Sequence, residues 1–471
     1  MNGESSQRIE RKARAEDVRD RRYAIPAVEQ SKAIESVVVG HACLQEAGAV
    51  FRRHFGAAPA LIVADENTYG AAGEAVRATL VEAGINAEVE ILPAKPRLAP
   101  DRLTAEHIAA RIGEMGAAND GVHPVPLAVG SGVINDLTRY AAFSAGTRFM
   151  SVPTAASMDG YTSAGAPLSD EGFKITIQCA PPRVILADLD VVAGAPARMS
   201  GWGYGDLAGK VPAGGDWLVA DALGVEALDD TAWPMVQNEL RGWLSDPNGV
   251  RRGDGAAIAD LFIGLAVSGV AMEVYGSSRP ASGAEHQIAH IWEMEDLSHE
   301  GEKVSHGACV AIGSLSMLSL YDWLLDQDIS AIDPAAATSR APDWSAVEAA
   351  IDAAFPNANV ARRAKEEMRE KWVEHETLTV RLARLRDGWP ALRDVLASHL
   401  MREIEMRDLL AAAGAPVTTR EIGLSPERHR ATMRNARWIR RRYTLLDLLA
   451  DAGLLEPAVE ACFPDGAPLY S

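Results

Sequence analysis

Two histidines four residues apart, with a third sixteen positions on, are the side chains most able to do chemistry in this 471-residue chain. In GAEHQIAHIWEM, His286 and His290 fall on one face of any helix formed there, so both imidazoles project toward one place. His306 follows in SHGACV, where Gly307 permits close backbone approach. Neutral imidazole is a common ligand of divalent metals. Asp206, set among glycines in GWGYGDLAGK, offers an anionic oxygen. One such carboxylate with two imidazoles leaves a divalent ion net positive charge and open positions for substrate oxygens, which is a catalytic arrangement. Lys210, four residues beyond Asp206, is the candidate cation for an anionic substrate group.

A second set of residues suits a nucleotide. LAVGSGVIND places Gly130, Ser131 and Gly132 after an apolar strand and before a helix whose first turn holds Asn135 and Asp136. Backbone N–H groups at such a turn approach a pyrophosphate closely, and the helix N-terminus adds positive potential. Asp136 is counted with this cofactor loop. The loop Thr154–Ser163, TAASMDGYTS, follows another strand and carries hydroxyls able to bond a ribose or nicotinamide. Asp65, closing the run ALIVAD, either accepts from a ribose 2′-OH, favouring NAD over NADP, or caps the next helix.

The elements that must carry these residues change character along the chain. Short β-branched runs at 60–65, 87–92, 126–132, 149–154, 174–178 and 183–188 alternate with Gly- and Ala-rich helical patterns, which predicts βαβ units and a parallel sheet. Beyond a boundary near residue 195, long Ala/Leu/Arg/Glu stretches with helical spacing predict a mostly helical second domain. The reading is therefore a charged arm over 1–30, expected to be mobile, an α/β domain over 31–195 and an all-α domain over 196–471. Segments 326–342 and 418–426 read as loops from their Pro, Ser, Thr and Asp content.

Composition narrows the partners. With 46 Lys+Arg against 65 Asp+Glu the net charge is −19, which repels nucleic acid and anionic lipid. The basic run from Arg428 to Tyr443 is accordingly read as a helix forming salt bridges with acidic neighbours or with a partner subunit. The longest apolar run, Leu261–Met272, is too short to span a bilayer, and the N-terminus lacks a signal-peptide core, so a cytoplasmic protein with no membrane partner is expected. Cys43, Cys179, Cys309 and Cys462 form no C-x-x-C pair and read as small buried hydrophobes.

Taken in order, VGSGVINDLTRYA, SVPTAASMDGYTSAGAPL, GYGDLAGKVPAGGDWLVADALG, SGAEHQIAHIWEM, SHGACVAIG and the late RWIRRRYTLLDLL resemble the sn-glycerol-1-phosphate dehydrogenases. The likeness is to their bacterial branch, within the metal-dependent alcohol dehydrogenase and dehydroquinate synthase-like superfamily. It implies a Rossmann-like NAD(P)-binding domain, a helical metal-binding domain, and interconversion of sn-glycerol 1-phosphate and dihydroxyacetone phosphate. By the same resemblance Gly130, Ser131, Gly132, Val133, Ile134, Thr154, Ala155, Ala156, Ser157 and Ser163 match cofactor residues. Asp159 and His290 match substrate contacts, and Asp206, His286 and His306 match metal ligands, with Asp206 also near substrate. Zinc or nickel, and iron as a third option, are the metals implied, and a homodimer is expected. Rival readings on the same scaffold are another polyol dehydrogenase, a dehydroquinate synthase-like enzyme, or a non-catalytic nucleotide-binding protein.

Overall fold

The computed structural model describes residues 23–95, 98–170 and 173–471, so most of the arm expected over 1–30 lies outside the described residues. The chain divides into two compact units. The first runs to Asp170 and adds Ile175–Gly203 and Gly242–Val274; the second holds Tyr204–Arg241 and Tyr275–Ser471.

The first unit is built on a six-stranded sheet. Its strands are β1 (Ser36–Gly40), β2 (Ala60–Asp65), β3 (Ala87–Leu92), β4 (Val125–Gly130), β5 (Met150–Pro153) and β8 (Val184–Asp188), in the order β1-β8-β5-β4-β2-β3. Every neighbouring pair is parallel. Parallel sheets need cover on both faces, and the pleat shows it along β2. Ala60, Ile62 and Ala64 join one apolar cluster with Val50 and Phe51 of α1 (Ala47–Phe55) and Val76 and Leu80 of α2 (Glu74–Glu82). Leu61 and Val63 join the opposite cluster with Ile108 and Ile112 of α3 (Arg102–Ala118) and Leu137 and Ala141 of α4 (Gly132–Ser144). The strand β1, SVVVG, is an addition to the sequence reading; it pairs with β8 at the sheet edge. The run expected at 174–178 is β7 (Phe173–Ile177), which pairs with β6 (Ala166–Asp170) in a separate two-stranded sheet.

Helices follow: α5 (Ala197–Ala208), α6 (Lys210–Ala222), α7 (Gly255–Tyr275), α8 (Ala284–Met294) and α9 (His306–Leu325). The helical stretch after residue 195 is not one continuous domain, because most of α7 belongs to the first unit. The reason is a close contact that helical spacing does not reveal. Thr162 Oγ1 donates to the Ala266 carbonyl at 2.6 Å, and a Cβ at Gly269 would lie 2.0 Å from that hydroxyl oxygen and 2.7 Å from the Asp159 carbonyl. The loop after β5 is thus seated on α7 through a glycine.

Two further expectations change. At 21 and 20 residues, α7 and α9 are long and apolar enough to cross a membrane, whereas the apolar run read from the sequence was shorter; most of each helix is buried within the protein. The segment 326–342 contains a helix, Pro334–Arg340. The Asp333 side chain accepts from the N–H groups of Ala335 and Ala336, and Pro334 takes the first turn, so these residues start a helix as readily as a loop.

Replacing Gly269 by alanine overpacks the α7 contact. We expect Gly269→Ala to lower unfolding free energy by about 1–3 kcal/mol; an unchanged denaturation midpoint in urea would contradict the contact.

Candidate functional site

Four segments of the second unit bring the metal candidates together. Asp206 lies in the last turn of α5, Lys210 opens α6, His286 and His290 share one face of α8, and His306 is the first residue of α9, where the Ser305 side chain caps the helix. Gly205 makes the approach of α5 to α9 possible: a Cβ there would sit 2.6 Å from the Gly307 carbonyl oxygen. A ligand atom from each of Asp206, His286 and His306 lies within 4.8 Å of the other two. His286 Nε2 is 3.4 Å from Asp206 Oδ1. Two ligands about 2.1 Å from a tetrahedral ion are separated by about 3.4 Å, so the donor set and its spacing fit a divalent metal.

Asp206 has no exposed surface, and neither has Lys210, whose Nζ donates to Asp206 Oδ1 at 2.7 Å. Burial pushes the Asp206 carboxyl up; the Lys210 ammonium, the His286 hydrogen bond and the His306 imidazole outweigh it and hold the group well below the usual carboxylate range. The Lys210 ammonium, read from the sequence as an anchor for an anionic substrate, is directed at the Asp206 carboxylate. At His286 burial opposes the charged ring, but hydrogen bonds to Asp206 and Glu285 prevail and raise its pKa.

Two carboxylates were missed. Glu285 Oε1 accepts from His286 Nδ1 at 2.7 Å. Glu293 accepts from two rings, His306 Nδ1 on Oε1 at 2.8 Å and His290 Nδ1 on Oε2 at 2.9 Å. The His290 and His306 rings are stacked, with centroids 5.6 Å apart. Spacing held the signal for Glu293, which is three residues after His290 and seven after His286 and so shares their helix face. Glu285 carried none, being adjacent to His286.

In the first unit the residues read as a cofactor loop also converge, though with divided roles. Gly130 and Gly132 sit at the β4 to α4 turn, and Ser131 makes no side-chain cap there. At Gly130 a Cβ would fall 2.6 Å from the Ile134 Cβ, so this glycine serves strand–helix packing; at Gly132 it would meet Met158 at 3.1 Å. Val133 is half-buried and Ile134 is core. Thr154, Ala155, Ala156, Asp159 and Ser163 are buried and Ser157 half-buried. The Thr154 N–H donates to the Gly130 carbonyl at 3.2 Å, tying the two loops together.

Arg139, which sequence reasoning passed over, anchors the loop. Fully buried, it donates to the carbonyls of Gly160, Tyr161 and Gly165 and pairs with Asp136 at 3.1 Å. Asp136 therefore meets the loop's anchoring arginine rather than standing clear for a cofactor. Ser163 Oγ donates to the Gly160 carbonyl at 3.2 Å. Asp65 takes its capping alternative, with Oδ1 accepting from the N–H groups of Asn67 and Thr68 at 2.9 and 2.8 Å.

Residues 38–196 match a family model described as iron-containing alcohol dehydrogenase. A Halalkalibacterium halodurans protein named glycerol-1-phosphate dehydrogenase (NAD(P)+) is 39% identical over 260 residues, 55% of this chain and 64% of that relative, a little under two thirds of its length. A Bacillus velezensis protein of the same name is 35% identical over 290 residues, 61% of this chain and 72% of the relative. The chain belongs to the glycerol-1-phosphate dehydrogenase family. The fold agrees: a solved structure of a probable glycerol dehydrogenase from Sinorhizobium meliloti superposes with a TM-score of 0.58 at 15% identity, covering 91% of this chain and 96% of that one. In this family setting the parallel sheet and helical second part are the expected dehydroquinate synthase-like architecture.

The basic run also finds the acidic neighbours expected of it. Arg428 pairs with Glu295, Arg430 with Asp465, Arg434 with Glu456 and Arg441 with Glu367.

Because metal and proton compete for His286, metal affinity should be higher at about pH 8 than at about pH 6, weakening as pH falls through the raised pKa. Metal titration at the two values measures this, and equal affinities would contradict it. His306→Ala should lose metal on dialysis while keeping NADH binding, read by elemental analysis and fluorescence.

Proposed function

We propose that this protein interconverts sn-glycerol 1-phosphate and dihydroxyacetone phosphate as an NAD(P)-dependent, metal-dependent oxidoreductase. The observation that carries the reading is the convergence of Asp206, His286 and His306 ligand atoms within 4.8 Å, in a family whose relatives carry that enzyme's name. Zinc, nickel and iron all suit imidazole with one carboxylate, and zinc or nickel is the assignment we favour. When bound, the ion supplies a Lewis acid that stabilises negative charge developing on the substrate's C2 oxygen.

The protein's own groups do the rest. A nicotinamide held by the first unit would supply the hydride for C2 of dihydroxyacetone phosphate, whose oxygen would take up a proton. Asp206 stays ionised because Lys210 and the imidazoles favour its charge, so it remains a ligand without first losing a proton. His290 is the residue proposed to hold the substrate oxygen and move its proton. Its Nδ1 is engaged by Glu293, which fixes the orientation of the ring. The Gly130–Ile134 turn is the proposed seat of the pyrophosphate. Thr154, Ala155, Ala156, Ser157 and Ser163 would line the remainder of the cofactor site, and Asp159 would contact substrate. The two long apolar helices are mostly buried, which argues against either crossing a membrane.

Metal-loaded protein with dihydroxyacetone phosphate and NADH should consume nicotinamide absorbance, stop on chelation, and yield the 1-phosphate enantiomer. No turnover from metal-replete protein would overturn the reading, and turnover of unphosphorylated dihydroxyacetone alone would favour a different polyol enzyme. Asp65 is engaged as the cap of the turn after β2, so Asp65→Asn should leave the kcat/KM ratio of NADPH over NADH unchanged. A rise of about tenfold, roughly 1.4 kcal/mol, would instead place Asp65 in the cofactor site.

A further inference from the structure

Glu293 is a single carboxylate engaged by two different imidazoles. Its oxygens lie 2.8 Å from His306 Nδ1 and 2.9 Å from His290 Nδ1, and its side chain is largely buried, with 14% exposed. An ionised carboxylate only accepts, so both bonds require the ring hydrogen on Nδ1. A neutral imidazole with hydrogen on Nδ1 carries its lone pair on Nε2. The two rings lie nearly parallel, at 19° to one another with centroids 5.6 Å apart, both within reach of the shared carboxylate.

We infer that Glu293 is a positioning residue that sets the tautomers of His306 and His290 together, aiming one Nε2 lone pair at the metal position and the other at the substrate. The part concerning His290 rests on the function proposed above; the part concerning His306 rests only on the donor geometry. Glu293 also accounts for the order of residues on α8. His286 ligates, His290 one turn on faces substrate, and Glu293 one further turn on steers His290 along its own helix and His306 across to α9. Glu285 does the corresponding task for His286 alone. The link follows from the acceptor count: His306 takes one oxygen of the carboxylate and His290 the other, so a change at either ring is felt by the other through Glu293.

The test is Glu293→Gln, which preserves shape but offers one acceptor oxygen and one donor NH2. One imidazole must then move its hydrogen to Nε2, where metal or substrate would otherwise meet a lone pair. Nitrogen-15 imidazole NMR of the metal-free proteins at high pH should show His290 and His306 both carrying hydrogen on Nδ1 in the wild type, and one of them on Nε2 in the variant. Nickel affinity by calorimetry should fall roughly 10- to 100-fold, while NADH binding stays unchanged. Glu293→Ala, which removes both acceptors, should leave each ring a mixture of tautomers with a similar loss of affinity. Identical tautomers in wild type and both variants would overturn the inference. So would two nickel ions per wild-type chain with one lost in Glu293→Gln, since Glu293 would then be a ligand itself. None of these readouts requires turnover, so a wild-type protein inactive on dihydroxyacetone phosphate would sink the functional reading and leave the His306 part standing on its own test.

Discussion

A carboxylate with no exposed surface is the constraint around which the second unit is arranged. Asp206 is buried at the end of α5, where an isolated negative charge would be strongly disfavoured. Lys210 one turn on and His286 across on α8 meet the same oxygen, Oδ1, and His306 contributes from α9. Removing one partner of such a group leaves the other charge uncompensated, at a cost of about 3–5 kcal/mol. Three stretches distant in sequence, around Asp206 and Lys210, His286 and His306, are therefore tied together by the electrostatics of a single residue. The same residue carries the proposed metal position, because a carboxylate already ionised beside imidazoles needs little rearrangement to receive a dication.

Around this centre the protein has invested in orientation. Each histidine of the cluster has its Nδ1 bonded to a glutamate, so every Nε2 is directed by a second side chain rather than by rotamer preference alone. The first unit follows a comparable logic with a different residue. Arg139 sits fully buried in α4 and gathers three backbone carbonyls of the loop after β5, while Thr162 fixes that loop to α7. In both units a polar group withdrawn from water sets the shape of a loop or cluster bearing residues proposed for function.

What the sequence made legible was the periodicity and the residue types. The strands at 60–65 and 87–92 appeared as written, and the unbroken apolar run of β2, ALIVAD, is the pattern of a parallel strand covered on both faces. His286 and His290 were visible through their four-residue spacing. Partners brought in from far along the chain were hidden: spacing within α7 says that it is a buried helix, but not that Gly269 receives Thr162. Lys210 was read as a cation for an anionic substrate group because four-residue spacing from Asp206 fits an open pair as well as a buried one, and only burial distinguishes them. Asp136 and Asp65 were ambiguous for a related reason. Aspartate at a helix start caps, pairs or binds ligand with equal ease, and it was the neighbouring Arg139 and the N–H groups of Asn67 and Thr68 that selected between those roles.

The account stands or falls on where a cation binds. Anomalous diffraction from crystals of the nickel-loaded protein, collected on either side of the nickel absorption edge, locates it without reference to activity. The account predicts one strong peak per chain, bonded to an Asp206 carboxylate oxygen and to Nε2 of His286 and of His306, with Glu293 outside the coordination sphere. A peak coordinated by Glu293 and His290, or no ordered peak near Asp206, would contradict it.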